Sequence, residues 1–118
     1  MNLKEVQKIL QAEVLCGNSF LDREVKTGFG CDLMSEMLAF ASSHTLLITS
    51  LLNPHVIHTA EIMDAVGVVF VGGKRPPEEV INCARQRSIP LLTTPFLMFK
   101  SCGLLFARGL EERHRGSC

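Results

Sequence analysis

The sequence has no excess charge of either sign: twelve lysines and arginines face twelve aspartates and glutamates, for a formal net charge of zero. A chain without a whole-molecule field does not draw nucleic acid or an anionic membrane to itself, and neither is expected as a partner. No stretch approaches the roughly 20 consecutive apolar residues that a membrane-spanning helix needs. The opening MNLKEVQKIL is polar and amphipathic and lacks the apolar run and small-residue cleavage site of a secretory signal. A cytoplasmic protein is the expectation. The five cysteines, Cys16, Cys31, Cys83, Cys102 and Cys118, are odd in number and scattered, with no C-x-x-C pair and no Cys/His cluster at metal-ligand spacing. In a reducing compartment they read as free thiols, with Cys83 and Cys102 packing as compact hydrophobes and Cys118 exposed in a charged tail.

Chemical motifs are missing as well. Neither G-x-G-x-x-G nor G-x-x-x-x-G-K-[ST] occurs, so no glycine-rich phosphate cradle is spelled out. His55 and His58 stand three apart, but no H-E-x-x-H and no third ligand accompany them; they read as surface histidines, and no metal is expected. Glu61 and Asp64 read as solvated residues on the outer face of the same helix. Cys31, next to Asp32 at a helix start, is a candidate for a lowered-pKa thiol, and the adjacent carboxylate argues against it. With no nucleophile, base and orienting group at recognisable spacing, the chain is expected to be neither an enzyme nor the holder of a cofactor.

What remains is a core and a pattern. A chain of 118 residues, 47% hydrophobic and 20% charged, suits one domain with one core. Its zero net charge leaves a small monomer weakly defended against self-association, so a homodimer is expected. Leu3, Val6, Ile9 and Leu10 recur at helical spacing and predict a helix to about Gln11, followed by a short strand over Ala12 to Leu15. Val25, Thr27 and Phe29 alternate with Lys26 and Gly28, the pattern of a half-exposed strand, expected as a small antiparallel addition at one sheet edge. Asp32 is placed to cap a helix through Leu33, Met34, Met37, Leu38 and Ala41.

Three strand, turn and helix units follow: His44 to Pro54 (HTLLITSLLNP), Val66 to Pro77 (VGVVFVGGKRPP) and Ile89 to Pro95 (IPLLTTP). Asn53 before Pro54, and Thr94 before Pro95, each pair a capping residue with a proline suited to the first helical position. Pro76 and Pro77 are followed by Glu78 and Glu79, which favour a helix dipole's positive end. The helices should bury Ile57, Ala60 and Ile62 or Met63, then Val80, Ile81 and Ala84. The last carries Phe96, Phe99, Cys102, Gly103 and Leu104. Met34, Met37, Met63 and Met98 fill gaps in the core or an interface. The runs LLIT, VVFV and PLLT are apolar on both faces, as buried parallel strands are, and intervening helices imply right-handed crossovers. The expected architecture is an α/β fold, a three-layer α/β/α sandwich with a mainly parallel central sheet. It spans residues 1–110 as one domain, with a charged, frayed tail over 111–118.

Such strands leave their turns at one edge of the sheet, where open α/β folds bind ligands. Gly72 and Gly73 would let backbone N–H groups come close to a ligand, Lys74 and Arg75 add positive charge, and three helix N-termini point the same way. Thr49, Ser50, Asn53, Thr93 and Thr94 offer hydroxyl and amide groups to a sugar or base. The candidate ligand-binding residues are therefore Thr49, Ser50, Asn53, Gly72, Gly73, Lys74, Thr93 and Thr94, for a small anion or an adenine nucleotide. The same residue types build any strand-to-helix turn, and both readings stand.

The strand ending LLITS, the helix from about Val56, the strand ending VGG with KRPPEEV after it, the strand ending LLTT and the upstream VKTGFGCDLMSEMLAF together resemble the DRTGG domain, from about Leu3 to about Leu110. That family is similar to the N-terminal domain of HPr kinase/phosphorylase and occurs as an accessory module in some phosphotransacetylases and CBS-bearing pyrophosphatases. The resemblance implies an α/β/α regulatory or binding module, often self-associating, without catalytic activity of its own. Leu52 and Asn53 stand where the family has Asp and Arg, and Val71 where it has Thr, whereas Gly72 and Gly73 match. Two functions follow from the whole: a ligand-sensing regulatory module, or a protein-interaction subunit that pairs with itself or docks on a larger enzyme without a ligand.

Overall fold

A computed structural model describes residues 1–40 and 42–112. Ala41, expected in the second helix, and residues 113–118, with Cys118 and most of the expected tail, lie outside the described residues. The first helix, α1 (Leu3–Leu10), opens with a capping box: the Asn2 side chain accepts from the Glu5 N–H at 2.9 Å, and the Glu5 carboxylate accepts from the Asn2 N–H at 3.3 Å. Its apolar spacing puts Leu3, Val6 and Leu10 inward, and it ends on Gln11 in the left-handed region at φ 50°. The remaining elements are β1 (Glu13–Cys16), a single 3-10 turn (Asn18–Phe20), β2 (Thr27–Gly30), α2 (Met34–Ala39), β3 (Thr45–Thr49), α3 (Pro54–Ile62), β4 (Gly67–Phe70), α4 (Glu78–Gln86), β5 (Leu91–Thr93) and α5 (Met98–Ala107).

The strands form one five-stranded sheet in the order β1-β5-β4-β3-β2, in which β2 to β5 are mutually parallel and β1 runs antiparallel to β5. Every residue of β3 and β4 is buried. Alternation along β3 sends Leu47 to one face and Leu46 and Ile48 to the other. On the first face Leu47, Val68, Phe70 and Leu91 pack with Met37 of α2, Val56, Ile57 and Ala60 of α3, and Val80, Ile81 and Ala84 of α4. On the second, Leu46, Ile48, Val69 and Leu92 pack with Leu3, Val6 and Leu10 of α1 and Leu105 of α5. The result is the expected three-layer α/β/α sandwich.

Local expectations meet the structure unevenly. Pro54 opens α3, Glu78 and Glu79 occupy the first turn of α4, and Val80, Ile81 and Ala84 are buried. Met37 and Met63 are core residues, and Met34 and Met98 pack partly buried against it. The antiparallel edge strand is β1, however, and β2 is parallel, because α2 carries the chain back over the sheet before it enters β3. Asp32 does not cap α2; Leu33 holds that position without a side-chain bond. Ile62 is exposed, and Met63 takes the inward place. The last helix begins at Met98, not at Pro95, because the buried Thr94 hydroxyl accepts from the Phe96 N–H at 3.3 Å and donates to the Leu10 carbonyl at 2.6 Å, holding a turn there. Phe99 lies outside the core, since α5 presents Ser101 and Leu105 inward. Glu111, first residue of the expected tail, is held on the outer edge of β2, where its carbonyl accepts from the Gly28 N–H at 3.0 Å.

The short side chains of β2 let α5 settle onto the sheet. A Cβ at Gly30 would lie 2.6 Å from the Cys102 sulfur. Gly30→Ala is expected to lower stability by about 1–3 kcal/mol through overpacking, measured by urea unfolding. Adding Cys102→Ala should relieve more of that loss than the sum of the single changes predicts, because the two positions collide.

Candidate functional site

Four parallel strands end at one edge, so four loops meet there: Cys31–Asp32 after β2, Ser50–Asn53 after β3, Val71–Arg75 after β4 and Thr94–Leu97 after β5. The β2/β3 register pairs Gly30 with Ile48, which brings Asp32, two residues on, beside Ser50. The Asp32 carboxylate accepts from the Thr49 hydroxyl at 2.8 Å, from the Ser50 N–H at 2.7 Å and from the Ser50 hydroxyl. Burial pushes this carboxyl up, but the Ser50 amide, the two hydroxyls and the positive charge of Lys74 together outweigh burial and hold it below the usual aspartate range. Asp32 was not among the candidate residues. The signal that reveals it is the parallel direction of β2, which puts its exit on the same edge as the others.

The remaining candidates divide. Thr49 is fully buried, and its hydroxyl, besides donating to Asp32, accepts from the Leu51 N–H at 3.2 Å. Asn53 stands at the N-cap of α3, yet its side chain makes no cap bond, and its Oδ1 is buried with no hydrogen-bond partner among the described residues. Lys74 is exposed beside this half of the rim.

The other half is closed by its own hydrogen bonds. Gly72 and Gly73 take left-handed φ values of 86° and 72°, and their N–H groups donate to the Phe96 and Thr94 carbonyls, each at 2.8 Å. These are the amides expected to approach a ligand, and the β5 exit occupies them instead. The Thr93 hydroxyl donates to the Lys74 carbonyl at 2.7 Å, and that of Thr94 is spent on Leu10. Arg75 pairs with Glu13 at 3.3 Å and Glu78 at 3.8 Å. Nor do three helix N-termini converge as bare positive ends: α4 carries Glu78 and Glu79 in its own first turn, and α5 starts well past the β5 exit.

Three cavities are lined by residues other than Asp32, Ser50, Asn53 and Lys74. One of about 390 Å³ sits at the opposite edge, around His44, Asp64 and Ser88; one of about 520 Å³ lies between β2 and α5; one of about 500 Å³ lies beside β1, around Gly17 and Arg85. His55 and His58 are exposed, with ring centroids 6.5 Å apart, and among the described residues no group of three or more His, Cys, Asp or Glu is arranged to hold a metal ion. Glu61 pairs with Arg87 at 3.3 Å on the surface. Cys16, Cys31, Cys83 and Cys102 are free, and burial pushes the Cys16 and Cys102 thiols up. Among the described residues no helix is long and apolar enough to cross a membrane.

The lowered Asp32 carboxyl fixes the sign of a pH effect. A group depressed in the folded state contributes stability above its unfolded pKa, about 3.9, and loses it as pH falls through the folded value. Asp32→Asn is therefore expected to be less stable than wild type near neutral pH and to lose less stability from about pH 5 to about pH 2. Thermal melts across that window check it.

Comparison with known proteins gives this arrangement a context. The family model described as the DRTGG domain matches residues 5–105. Among solved structures, the CBS and DRTGG domains of the regulatory region of Clostridium perfringens pyrophosphatase, complexed with the activator diadenosine tetraphosphate, align with a TM-score of 0.71 and 18% identity. The alignment covers 88% of this chain and 45% of that one, so the chain spans less than half the length of its structural neighbour. At that identity the likeness speaks for the fold alone. No curated protein matches the sequence. With a match running from α1 to the far end of α5, the chain belongs to the DRTGG domain family.

Proposed function

We propose that this chain is a non-catalytic regulatory module that senses a small anionic ligand, an adenine nucleotide in the first instance, at the C-terminal edge of its parallel strands. One observation carries the reading: the Asn53 Oδ1 is buried and unpaired, on the same strand exit as the Ser50–Asp32 cluster and beside the half of the rim that Lys74 faces. A buried acceptor without a partner costs roughly 1–3 kcal/mol, and a ligand N–H such as the adenine amino group removes that cost. Lys74 then takes the phosphate, while Ser50 and Asp32 meet ribose hydroxyls, an assignment that keeps the Asp32 carboxylate away from phosphate charge. Thr49, Gly72, Gly73, Thr93 and Thr94 act by holding the rim in shape. The pyrophosphatase region that shares the fold was captured with a dinucleotide activator, which supports a nucleotide as the ligand class. The proposal locates the module in the cytoplasm, where free thiols persist.

The second reading is an interaction subunit that pairs with itself or docks on a larger enzyme. It is favoured by large apolar side chains left in solvent, above all Phe99, 92% exposed. That the neighbouring DRTGG domain belongs to a longer regulatory chain also supports it.

A thermal-shift panel of inorganic phosphate, AMP, ATP and diadenosine tetraphosphate tests the first reading. An adenine ligand at about one hundred times its Kd adds about 2.7 kcal/mol to apparent stability, a shift of several degrees. Asn53→Ala and Lys74→Ala should each weaken that ligand about five- to tenfold, the size of one lost hydrogen bond or exposed charge contact. No shift from any of the four at millimolar concentration overturns the reading.

A further inference from the structure

Phe99, Gly103 and Phe106 fall on one face of α5 at i, i+4 and i+7, and none of the other described residues covers that face. Phe99 is 92% and Phe106 68% exposed, and a Cβ built at Gly103 would meet nothing within 4 Å. A glycine inside an exposed helix costs about 1 kcal/mol relative to alanine. Gly28 and Gly30, in β2, make room for Leu110 and Cys102; Gly103 makes room for nothing among the described residues. Beside the seam runs the cavity of about 520 Å³ between α5 and the edge strand β2, with Gly28, Gly30, Ile48, Cys102 and Leu110 in its wall. Protruding rings and a groove with apolar walls, closed at one end by Glu111 and Glu112, thus share one patch.

We propose that this patch is a homodimer interface in which α5 crosses α5 of a second copy, antiparallel, about a two-fold axis at Gly103. The inference rests on the association reading and gives it a face. A two-fold contact requires a self-complementary surface, in which residue i meets j and j meets i. With the axis at Gly103, Phe99 lies against the partner's Phe106 and the reverse, and the rings reach the partner's groove. The missing side chain at the axis lets the helices approach at the short end of the usual 8–10 Å range.

Area and charge both suit a second copy. An aromatic side chain buries about 150–250 Å², so the exposed parts of the four rings in a pair supply roughly half of the smallest stable interface, about 1,200 Å². The groove walls and the exposed Leu97 supply more. Lys100 stands near the start of α5, and Glu111 and Glu112 line the groove beyond its end. An antiparallel crossing sets each Lys100 toward the partner's glutamates, where a parallel one sets like charges together.

Sedimentation equilibrium of the full chain tests the proposal, with a species of twice the 13.0 kDa chain mass expected at micromolar concentration. Phe99→Glu should weaken association at least a hundredfold. Gly103→Leu should weaken it at least tenfold while keeping or raising the monomer's melting temperature, since it improves helix propensity and its Cβ would meet nothing within 4 Å among the described residues. Ile62→Glu, an exposed change on α3, should leave the dimer intact. A dimer indifferent to Phe99→Glu and Gly103→Leu overturns this face and leaves the association reading standing. A monomer at every concentration overturns both.

Discussion

Two of the three interior strands of the sheet, β3 and β4, have no exposed face. All of β3 and β4 is buried, so each side of the sheet must be covered by helices, and the backbone polar groups of those strands must be satisfied within the sheet. Burial at about 25 cal/mol per Å² of apolar surface drives that arrangement, and it also restricts chemistry. A strand covered on both sides can present a hydroxyl, amide or charge only where it ends. Thr49 marks the boundary: it is the last residue of β3, fully buried, and its hydroxyl turns to the Asp32 carboxylate at the adjoining exit. The polar rim is thus a consequence of the core.

Much of this was legible from residue patterns. The apolar runs LLIT, VVFV and PLLT, the proline-opened α3 and the inward faces of α3 and α4 follow from local chemistry and appear as read. The direction of β2 was not legible, because a four-residue TGFG strand has the same alternation whichever way its neighbour runs. The start of α5 was missed for a related reason: the bond from Thr94 to the Leu10 carbonyl joins residues far apart in sequence. Which residues of α5 face the sheet does not follow from its apolar content, because the β2 glycines demand small residues at the helix–sheet contact and leave Phe99 in solvent.

The candidate site was legible by location and only partly by role. Gly72, Gly73, Thr93 and Thr94 have the residue types of a ligand cradle, and their donors are consumed between neighbouring loops. What a hydroxyl or amide is free to do depends on what lies across from it, which no local pattern encodes. The three positions read from the sequence as differing from the DRTGG pattern sharpen the point. Val71 is buried and Leu52 packs against the core, which leaves Asn53 as the polar side chain among the three. The two surfaces also adjoin: Gly30 lines the groove beside α5, and Asp32 two residues later anchors the rim.

The proposed ligand site is confined to the C-terminal edge of the parallel strands. Amide chemical-shift mapping during a titration with diadenosine tetraphosphate tests it most directly. Saturable shifts are expected at Ser50, Asn53 and Lys74, with His44, Asp64 and Ser88 at the opposite edge unmoved. Saturable shifts centred on that opposite edge, or no shifts at millimolar ligand, would contradict it.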